Sequence, residues 1–401
     1  MENRTIAIAG GGIGGLSAAL GLSAKGFDIV VLEKASKLGE IGAGIQLAPN
    51  AFHALDYFGV GAAAREKAVF VDMLRLMDAV SGEEIIHIPL DGPFRERFGN
   101  PYAVIHRADL HGVLLDACQA RANIELKVSC EVAGYRQDGA GVSVQLAGGE
   151  QISADILIGA DGLWSNLRAS VVGDGAPRVS GHSTYRSVIP FDEMPEELRW
   201  NAATLWAGPK CHIVHYPLSD WKYFNLVVTY QNDAPEPVAG LPVSKDEVRK
   251  GFAHIHESAQ KIIEIGNDWR LWVLCDRDPV ENWVDGNVAL LGDAAHPMMQ
   301  YYAQGACMAM EDAVCLSHNL DAHRGDIHAG LIAYQDQRLV RTARVQIGSR
   351  VIGDLVNHPE GMHARVRNEI MRSMSVEDYY DRLAWLYGNT GLTEASAHGF
   401  S

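Results

Sequence analysis

The first thirty residues alternate between short apolar runs and one helical segment. Thr5 to Ala9 is rich in β-branched residues and alanine and runs into glycine, Leu16 to Ala24 has the spacing of a helix, and Asp28 to Leu32 is apolar again. Strand, helix and strand in this order predict a βαβ unit with two parallel strands. The chain therefore begins as an α/β protein.

Beyond residue 180 the pattern changes from βαβ to successive strands. Residues 182–191, 203–218 and 222–231 alternate or run apolar, with turn residues between them. They predict a mixed, mostly antiparallel sheet, to which residues 70–104 add strands.

The chain after about residue 331 is predicted to be helical. Its last pattern, VEDYYDRLAWLYG, places large side chains on one broad apolar surface ending at Gly388. These side chains are Tyr379, Tyr380, Leu383, Leu386 and Tyr387. The surface either packs on its own chain or forms a dimer contact, and the pattern leaves both open.

Composition and charge narrow the classes of protein. With 401 residues and 47% hydrophobic residues, the chain is long enough for two or three domains with sizeable cores. A formal net charge of -16 argues against a nucleic-acid or anionic membrane surface, so the expected partner is a small molecule. The six cysteines form no CxxC pair, and the glycine-rich N-terminus resembles neither a signal peptide nor a membrane span. We expect a cytoplasmic protein.

The first glycines carry the strongest motif. Gly10, Gly12 and Gly15 fit GxGxxG, which allows a tight turn, close approach of a pyrophosphate, and packing of helix on strand. The helix N-terminus then offers amides to the phosphates, and Glu33 ends the second strand, where an acid accepts hydrogen bonds from a ribose. The motif predicts a dinucleotide site and leaves the dinucleotide unspecified.

Two later strands also run into an acidic residue beside a glycine. ADILIGADGLWSNLR contains Asp161 and Gly162, and GNVALLGDAAH contains Gly292 and Asp293. Together with the first glycines, these stretches resemble the three fingerprints of the FAD-dependent aromatic hydroxylases, the single-component flavoprotein monooxygenases. The resemblance covers nearly the whole chain.

The resemblance implies an α/β fold with a Rossmann-like FAD-binding domain of the glutathione-reductase type, a mixed, mostly antiparallel substrate sheet and a C-terminal helical segment. The expected FAD-binding domain is discontinuous, the substrate domain lies between its parts, and a helical region follows. The boundaries are 1–69, 105–180 and 275–330 for the FAD-binding domain, 70–104 and 181–274 for the substrate domain, and 331–401 for the helical region.

Several residues are expected to bind the cofactor because they match family positions. Asp293 would hold hydroxyls of the FAD chain, Asp161 would lie near FAD and the nicotinamide donor, and Arg107 and Gln46 would contact FAD, with residues 39–51 supplying backbone around the ring. Gly305, Ala306 and Cys307 begin a helical pattern whose N-terminus would face the flavin. The expected cofactor is FAD, with NADH as transient electron donor and NADPH as the alternative.

The stretch LGDAAHPMMQYYAQGACMAMED allows two other interpretations. Asp293 and His296 have the spacing of a short metal-binding pair, but no further ligands accompany them, so we expect no metal. Cys307 at a helix start has a position that can activate a thiol. No basic partner stands near it in sequence, and packing is the favoured role.

The substrate wall is predicted from CHIVHYPL. The two-residue period of a strand places His212, Val214 and Tyr216 on one face, with Cys211, Ile213 and His215 on the other. Four stretches of the chain are together most similar to the 3-hydroxybenzoate 6-monooxygenases within the family. They are GPKCHIVHYPL, DRDPVENWVDGNVALLGDAAHPMMQ, PYAVIHRADLH and WLYGN.

This narrower resemblance implies that His212 and Gln300 activate the phenol and that Tyr216 helps to hold the substrate. His212, with a near-neutral pKa, would be the general base. Further expected pocket residues are Tyr102, Met298, Met299 and Tyr301, and the wall from Pro297 to Tyr301 would be apolar apart from Gln300. Tyr302 and Gln304 stand in variable positions and leave the preferred ring in doubt.

The implied activity is para-hydroxylation of 3-hydroxybenzoate to gentisate (2,5-dihydroxybenzoate) with O2 and NADH. A decarboxylating salicylate or 6-hydroxynicotinate hydroxylase is the second enzyme hypothesis. The third hypothesis is an FAD-binding regulatory protein without turnover. The expected partners are a small aromatic acid, O2 and NADH, without nucleic acid or membrane, and a homodimer is an open alternative.

Overall fold

The computed structural model describes residues 4–39, 43–139 and 141–388. Four parts of the sequence predictions lie outside these residues: the extreme N-terminus, residues 40–42 of the segment expected around the flavin ring, residue 140 of the segment 105–180, and residues 389–401 of the helical region. None of the helices within the described ranges combines the length and apolar character needed to cross a membrane.

The strands fall into two large and two small sheets. In chain order they are β1 (Thr5–Ala9), β2 (Asp28–Leu32), β3 (Gly44–Leu47), β4 (Val69–Phe70), β5 (Met73–Asp78), β6 (Glu84–Pro89), β7 (Ala103–His106), β8 (Ile124–Lys127), β9 (Val132–Gln137) and β10 (Val142–Leu146). They continue with β11 (Gln151–Ala154), β12 (Ile156–Gly159), β13 (Arg178–Pro190), β14 (Ala202–Gly208), β15 (Cys211–Leu218), β16 (Tyr223–Gln231), β17 (Ala239–Pro242), β18 (Arg270–Asp276), β19 (Val284–Asp285) and β20 (Val288–Leu290).

The helices lie between these strands and at the C-terminal end of the described chain. They are α1 (Ile13–Ala24), α2 (Pro49–Tyr57), α3 (Gly61–Lys67), α4 (Gly92–Phe98), α5 (Arg107–Gln119), α6 (Asn166–Val171), α7 (Lys245–Arg249), α8 (Glu257–Ile265), α9 (Gly305–Ala322), α10 (Ile327–Ile352), α11 (Gly361–Ser373) and α12 (Val376–Tyr387). A π-helical turn, Gly353–Asn357, follows α10.

The first large sheet has six strands in the order β19-β20-β12-β1-β2-β8. β12, β1, β2 and β8 are parallel, as are β12 and β20, and only the short β19 runs antiparallel. Ile6, Ala7 and Ile8 of the central β1 are fully buried, because helices such as α1 cover the sheet, and α9 packs on α1 in turn. The predicted βαβ unit and α/β class are confirmed.

The second large sheet has eight strands in the order β17-β18-β13-β16-β15-β14-β5-β6. Every neighbouring pair is antiparallel except β14 with β5. The prediction of a mixed, mostly antiparallel sheet is therefore confirmed, and residues 73–89 contribute two of its strands. One face packs on α7 and α8 around Ile213, Phe224 and Trp269.

The helices α11 and α12 pack against β6 of the second large sheet, and α12 also packs against α2 and α4. Tyr380 lies against Phe94 and Phe98 of α4, and Tyr387 lies against Phe98 and Tyr102. These contacts bury the aromatic side chains for which the sequence left a dimer contact open. The surface of α12 therefore packs on its own chain.

Candidate active site

One cavity of about 1750 Å³ joins the first sheet to the second. It is larger than the roughly 300–1000 Å³ typical of a site for one small ligand. Its walls come from the glycine loop, the carboxyl ends of β2, β12 and β20, the open face of the second sheet and the C-terminal helices. The volume is sufficient for a dinucleotide together with a second, smaller molecule.

The glycine loop has no space for side chains at two of its predicted positions. Gly10 has φ +108°, and a Cβ there would lie 2.3 Å from the carbonyl oxygen of Ala160. At Gly15 a Cβ would lie 2.0 Å from the carbonyl oxygen of Gly10. Gly12 caps α1 at the cavity. The loop is thus a backbone cradle at a helix N-terminus, and it fits the pyrophosphate of a dinucleotide.

Glu33 both supports this loop and lines the cavity. Its Oε2 accepts a hydrogen bond from the Gly11 backbone N–H at 2.8 Å, and its Oε1 accepts one from Ala35 N–H at 2.8 Å. The loop and the acid expected to meet the ribose therefore form one unit.

The two other acidic residues lie where parallel strands end. Asp161 follows β12 and Asp293 follows β20, and both line the cavity. Burial raises the pKa of Asp161, although hydrogen bonds from Ser165 and from backbone amides oppose that shift. Gly162 beside it has φ +79°. The structure brings both acidic fingerprints to the edge of the sheet that carries the glycine loop.

Arg107 and Gln46 also line this part of the cavity. Arg107 is the first residue of α5, one position further into the helix than the sequence pattern indicated. Gln46 accepts a hydrogen bond from the hydroxyl of Tyr102 at 2.5 Å. This bond joins an expected cofactor residue to an expected substrate residue.

The stretch around Gly305 begins a helix, as its composition predicts. α9 starts at Gly305, and Gly305 and Ala306 line the cavity. The Cys307 side chain does not line it, since its Sγ lies 3.8 Å from the carbonyl oxygens of Gln46 and Ala303. Burial raises the pKa of this thiol to about 12. Cys307 therefore packs, and only backbone at the helix start faces the cavity.

A buried ionic network behind α9 was not predicted. Asp312 accepts hydrogen bonds from the Gly292 backbone N–H at 3.0 Å and pairs with His296 Nε2 at 2.5 Å, while Arg338 Nε donates to it at 2.6 Å. Burial alone would raise the pKa of Asp312, but His296 and Arg338 lower it to about 2. The network holds the backbone before Asp293 in place.

His296 is thereby engaged with Asp312. Within the described part of the chain, no three His, Cys, Asp or Glu side chains come together in a group that could hold a metal ion. Asp293 faces the cavity, and His296 is buried beside Trp283. Asp293 and His296 thus have different surroundings and do not face one common site.

The strand β15 has the two faces that its alternation predicts. His212, Val214 and Tyr216 line the cavity, whereas Cys211 and Ile213 belong to the opposite core. His212 Nδ1 lies 2.6 Å from Nε2 of His358, and the two rings stack with centroids 4.9 Å apart.

The expectation of a near-neutral pKa for His212 is wrong. Burial, followed by the neighbouring His358 and His182, holds the pKa of His212 well below its usual range. The imidazole is therefore neutral at physiological pH. One of its ring nitrogens, Nδ1, contacts His358, and the other is available to a ligand.

Tyr301 was expected in the pocket, but the histidine cluster around it and His212 was not. The Tyr301 ring lies 5.4 Å from that of His212, and its hydroxyl bonds to Nδ1 of His182. His358 follows the π-helical turn and has a pKa lowered to about 3 by burial and by His182. Isolated histidines in distant segments carry no signal of such a cluster.

Gln300 is fixed by three partners. Its Oε1 accepts a hydrogen bond from Arg186 Nη2 at 3.0 Å, and its Nε2 donates to the hydroxyls of Thr229 at 3.1 Å and Thr184 at 3.3 Å. Met298, Met299 and Tyr301 line the cavity beside it. The wall expected to be apolar apart from Gln300 also contains a half-buried arginine, Arg186, that the sequence did not indicate.

Comparisons with known proteins give a consistent picture. The model of the family described as FAD binding domain matches residues 3–347. The chain is 55% identical to "3-hydroxybenzoate 6-hydroxylase 1" of Aquipseudomonas alcaligenes, over 96% of this chain and 98% of that protein. It is 46% identical to "3-hydroxybenzoate 6-hydroxylase" of Polaromonas naphthalenivorans, over 96% and 95% of the two chains.

A solved structure has the same architecture. The Klebsiella pneumoniae protein HpxO, complexed with FAD and uric acid, superposes with a TM-score of 0.83 at 28% sequence identity. The match covers 97% of this chain and 98% of that chain. The similarity therefore extends across both large sheets and the C-terminal helices.

Proposed function

The chain belongs to the FAD binding domain family, and we propose that it is a flavoprotein monooxygenase that converts 3-hydroxybenzoate to gentisate. One atom of O2 enters the ring para to the hydroxyl, the other leaves as water, and NADH supplies two electrons. The observation that carries the proposal is the single cavity in which a dinucleotide cradle meets the strand face of His212. Identity of 55% to a protein named for this reaction supports the substrate.

The cofactor is FAD, and the cradle at Gly10 and Gly15 fits it because side chains there would collide with backbone. The residues proposed to hold it are Gly10, Gly12, Gly15, Glu33, Gln46, Arg107, Asp161, Asp293 and, at the start of α9, Gly305 and Ala306, whereas Cys307 packs without lining the cavity. FAD, when bound and reduced, supplies electrons that activate O2 for attack on an aromatic ring. The protein must then bind the ring, orient it and increase its electron density.

His212 is the proposed base. Its neutral imidazole accepts the phenolic proton through the nitrogen that does not contact His358. The phenolate formed beside it favours the imidazolium, because an opposite charge nearby raises a histidine pKa. Removal of the proton makes the ring electron-rich at the para carbon. His358 is the proposed positioning residue, since its nitrogen fixes the orientation of the His212 ring.

The other residues proposed to bind the substrate lie around the His212 face of β15. Tyr216 lies on the same strand face, two residues from Val214, and Gln300 is held next to Arg186. Tyr102, Met298, Met299 and Tyr301 complete the proposed pocket, in which thioether and aromatic groups keep water from the ring.

We further propose NADH as the electron donor, a cytoplasmic location and the domain division expected from the sequence. All six cysteines are free thiols, as is usual in a reducing cytosol. β5, β6 and β13 to β18 pair in one sheet, which supports a substrate domain built from two chain segments.

A homodimer is proposed through α10 rather than α12. Exposed apolar side chains recur at helical spacing along α10 outside the cavity: Val340, Ile347 and Val351. Rows of this kind are favourable for contact with a second copy. Light scattering at several concentrations should give twice the 43.6 kDa mass of the chain. A monomeric mass at all concentrations would exclude the dimer.

The proposed reaction is tested with the FAD-loaded protein and a panel of hydroxybenzoates and hydroxynicotinates. The assay scores NADH loss, aromatic product and CO2. We expect 3-hydroxybenzoate to stimulate NADH oxidation and to yield gentisate without CO2. CO2 release from salicylate or 6-hydroxynicotinate would identify a decarboxylating hydroxylase, and bound FAD without aromatic-stimulated oxidation would favour a regulatory protein.

A further inference from the structure

Arg186 is a half-buried cation that faces the cavity without a carboxylate partner among the described residues. Its Nη2 donates to Gln300 Oε1 at 3.0 Å, and its guanidinium carbon lies 5.4 Å from the centre of the Trp272 ring. Its Nε is buried and has no hydrogen-bond partner within residues 4–39, 43–139 and 141–388. A guanidinium has five N–H donors, so most of its binding capacity remains for a ligand.

The strand register places Arg186 at the end of an apolar row. Arg186 pairs with Val227, Val227 with Val214, and Val214 with Leu205. His212 lies on the neighbouring row, opposite Thr229. An aromatic ring on Val214 and Val227 therefore has a cation at one edge and an imidazole at another.

Two fully buried arginines among the described residues have anionic partners. Arg168 pairs with Asp174 at 2.7 Å, and Arg338 pairs with Glu311 and Asp312 at 2.6 Å each. For Arg186, burial lowers the pKa, Tyr216 opposes the shift and Arg107 adds to it. A charge that is partly removed from water and has no counterion is destabilised. The missing negative charge is therefore expected from a ligand.

We propose that Arg186 binds the carboxylate of the aromatic substrate. The guanidinium pairs with the two carboxylate oxygens, the ring lies on Val214 and Val227, and the hydroxyl is directed toward His212. Gln300 acts as a positioning residue, because its amide oxygen holds the guanidinium while the two threonine hydroxyls hold its amide nitrogen. This assignment rests on the proposed function for the substrate class, and its test does not require turnover.

The test uses benzoate and benzamide, which have the same ring but differ in charge and lack a phenol. Binding to the FAD-loaded enzyme is measured by calorimetry and by the change in flavin absorbance. In Arg186→Met, affinity for benzoate should fall about tenfold to hundredfold, as expected for loss of a charged hydrogen bond. Benzamide affinity should change by less than about threefold, and Arg186→Lys should retain part of the benzoate affinity.

Arg75→Met is the matched control. Arg75 borders the cavity from the His215 face of the same sheet, where it pairs with Glu84 at 2.5 Å and lies 3.9 Å from the Trp200 ring centre, so it has partners already. Its substitution should leave benzoate affinity within about threefold of the original value.

Three results would overturn the proposal: unchanged benzoate affinity in Arg186→Met, equal losses for benzoate and benzamide, or loss of FAD from both Arg186 variants. If Arg186→Met does not fold, the Lys variant and the preference of the unmodified enzyme for benzoate over benzamide decide the question. Charge-selective binding through Arg186 without gentisate formation would refute only the proposed function.

Discussion

The two faces of β15 carry one histidine each, and these histidines differ in what surrounds them. His212 faces the cavity, contacts His358 and lies beside the Tyr301 ring. His215 faces the opposite core between Trp200 and Phe224, and neither of its ring nitrogens has a hydrogen-bond partner among the described residues.

Burial lowers the pKa of both histidines. A perturbed pKa therefore does not distinguish the candidate base from the core residue. The distinction comes from access to the cavity and from a partner that orients the ring. His212 and His215 thus share residue type and burial, and they differ in access to the cavity and in having a partner that orients the ring.

The largest expected difference between the faces is in turnover. His212→Gln removes the proton acceptor and should slow hydroxylation of 3-hydroxybenzoate by about 10²–10⁴-fold, the usual contribution of a general base. His215→Leu should hydroxylate within about threefold of the original rate, because its side chain does not reach the cavity. Gentisate formation is followed by chromatography under saturating NADH. Equal losses in the two variants would remove the functional distinction between the faces.

The faces should also differ in stability. Ile213 is fully buried, so Ile213→Ala should reduce the free energy of unfolding by about 2–5 kcal/mol. Val214 on the cavity face is only half-buried, and Val214→Ala should cost about 1 kcal/mol. Urea unfolding measures both. A larger loss for Val214→Ala would contradict the assignment of the core to the Ile213 face.

The smallest expected effect is the pH dependence that His215 confers. Burial, together with Arg75, lowers its pKa to about 3, below the roughly 6.5 of an unfolded chain. Between these values the unfolded state binds a proton that the folded state does not, so stability falls as pH decreases below about 6.5. Between pH 6.5 and 5.5 this amounts to about 1 kcal/mol.

His215→Leu should therefore lose less stability than the unmodified protein when the pH is lowered from 7.5 to 5.5. The comparison is made by urea unfolding at both values, and the quantity of interest is the difference between the two pH effects. Identical pH effects in the two proteins would show that His215 is not a buried neutral residue.

Local periodicity explains which parts of the fold were predictable. β1 and α1 follow from patterns of a few residues, and the alternation in β15 separates the Ile213 face from the Val214 face before any tertiary contact is known. These predictions depend on neighbours in sequence, where spacing carries the signal.

The parts of the candidate site that were missed depend on distant segments. His212 and His358 are 146 positions apart, and Arg186 and Gln300 are 114 positions apart. Asp312 reads as an ordinary acidic residue of α9, and only the fold brings Arg338 and His296 to it. The resemblance supplied candidate roles for matching positions, whereas partners that orient those residues required coordinates.

A crystal structure of the FAD-loaded protein with 3-hydroxybenzoate would show directly which groups the substrate contacts. We expect the ring on Val214 and Val227, the phenolic oxygen within hydrogen-bond distance of His212, and the carboxylate paired with Arg186. A ring bound outside this face, or a carboxylate directed at His212 with Arg186 unoccupied, would contradict this expectation.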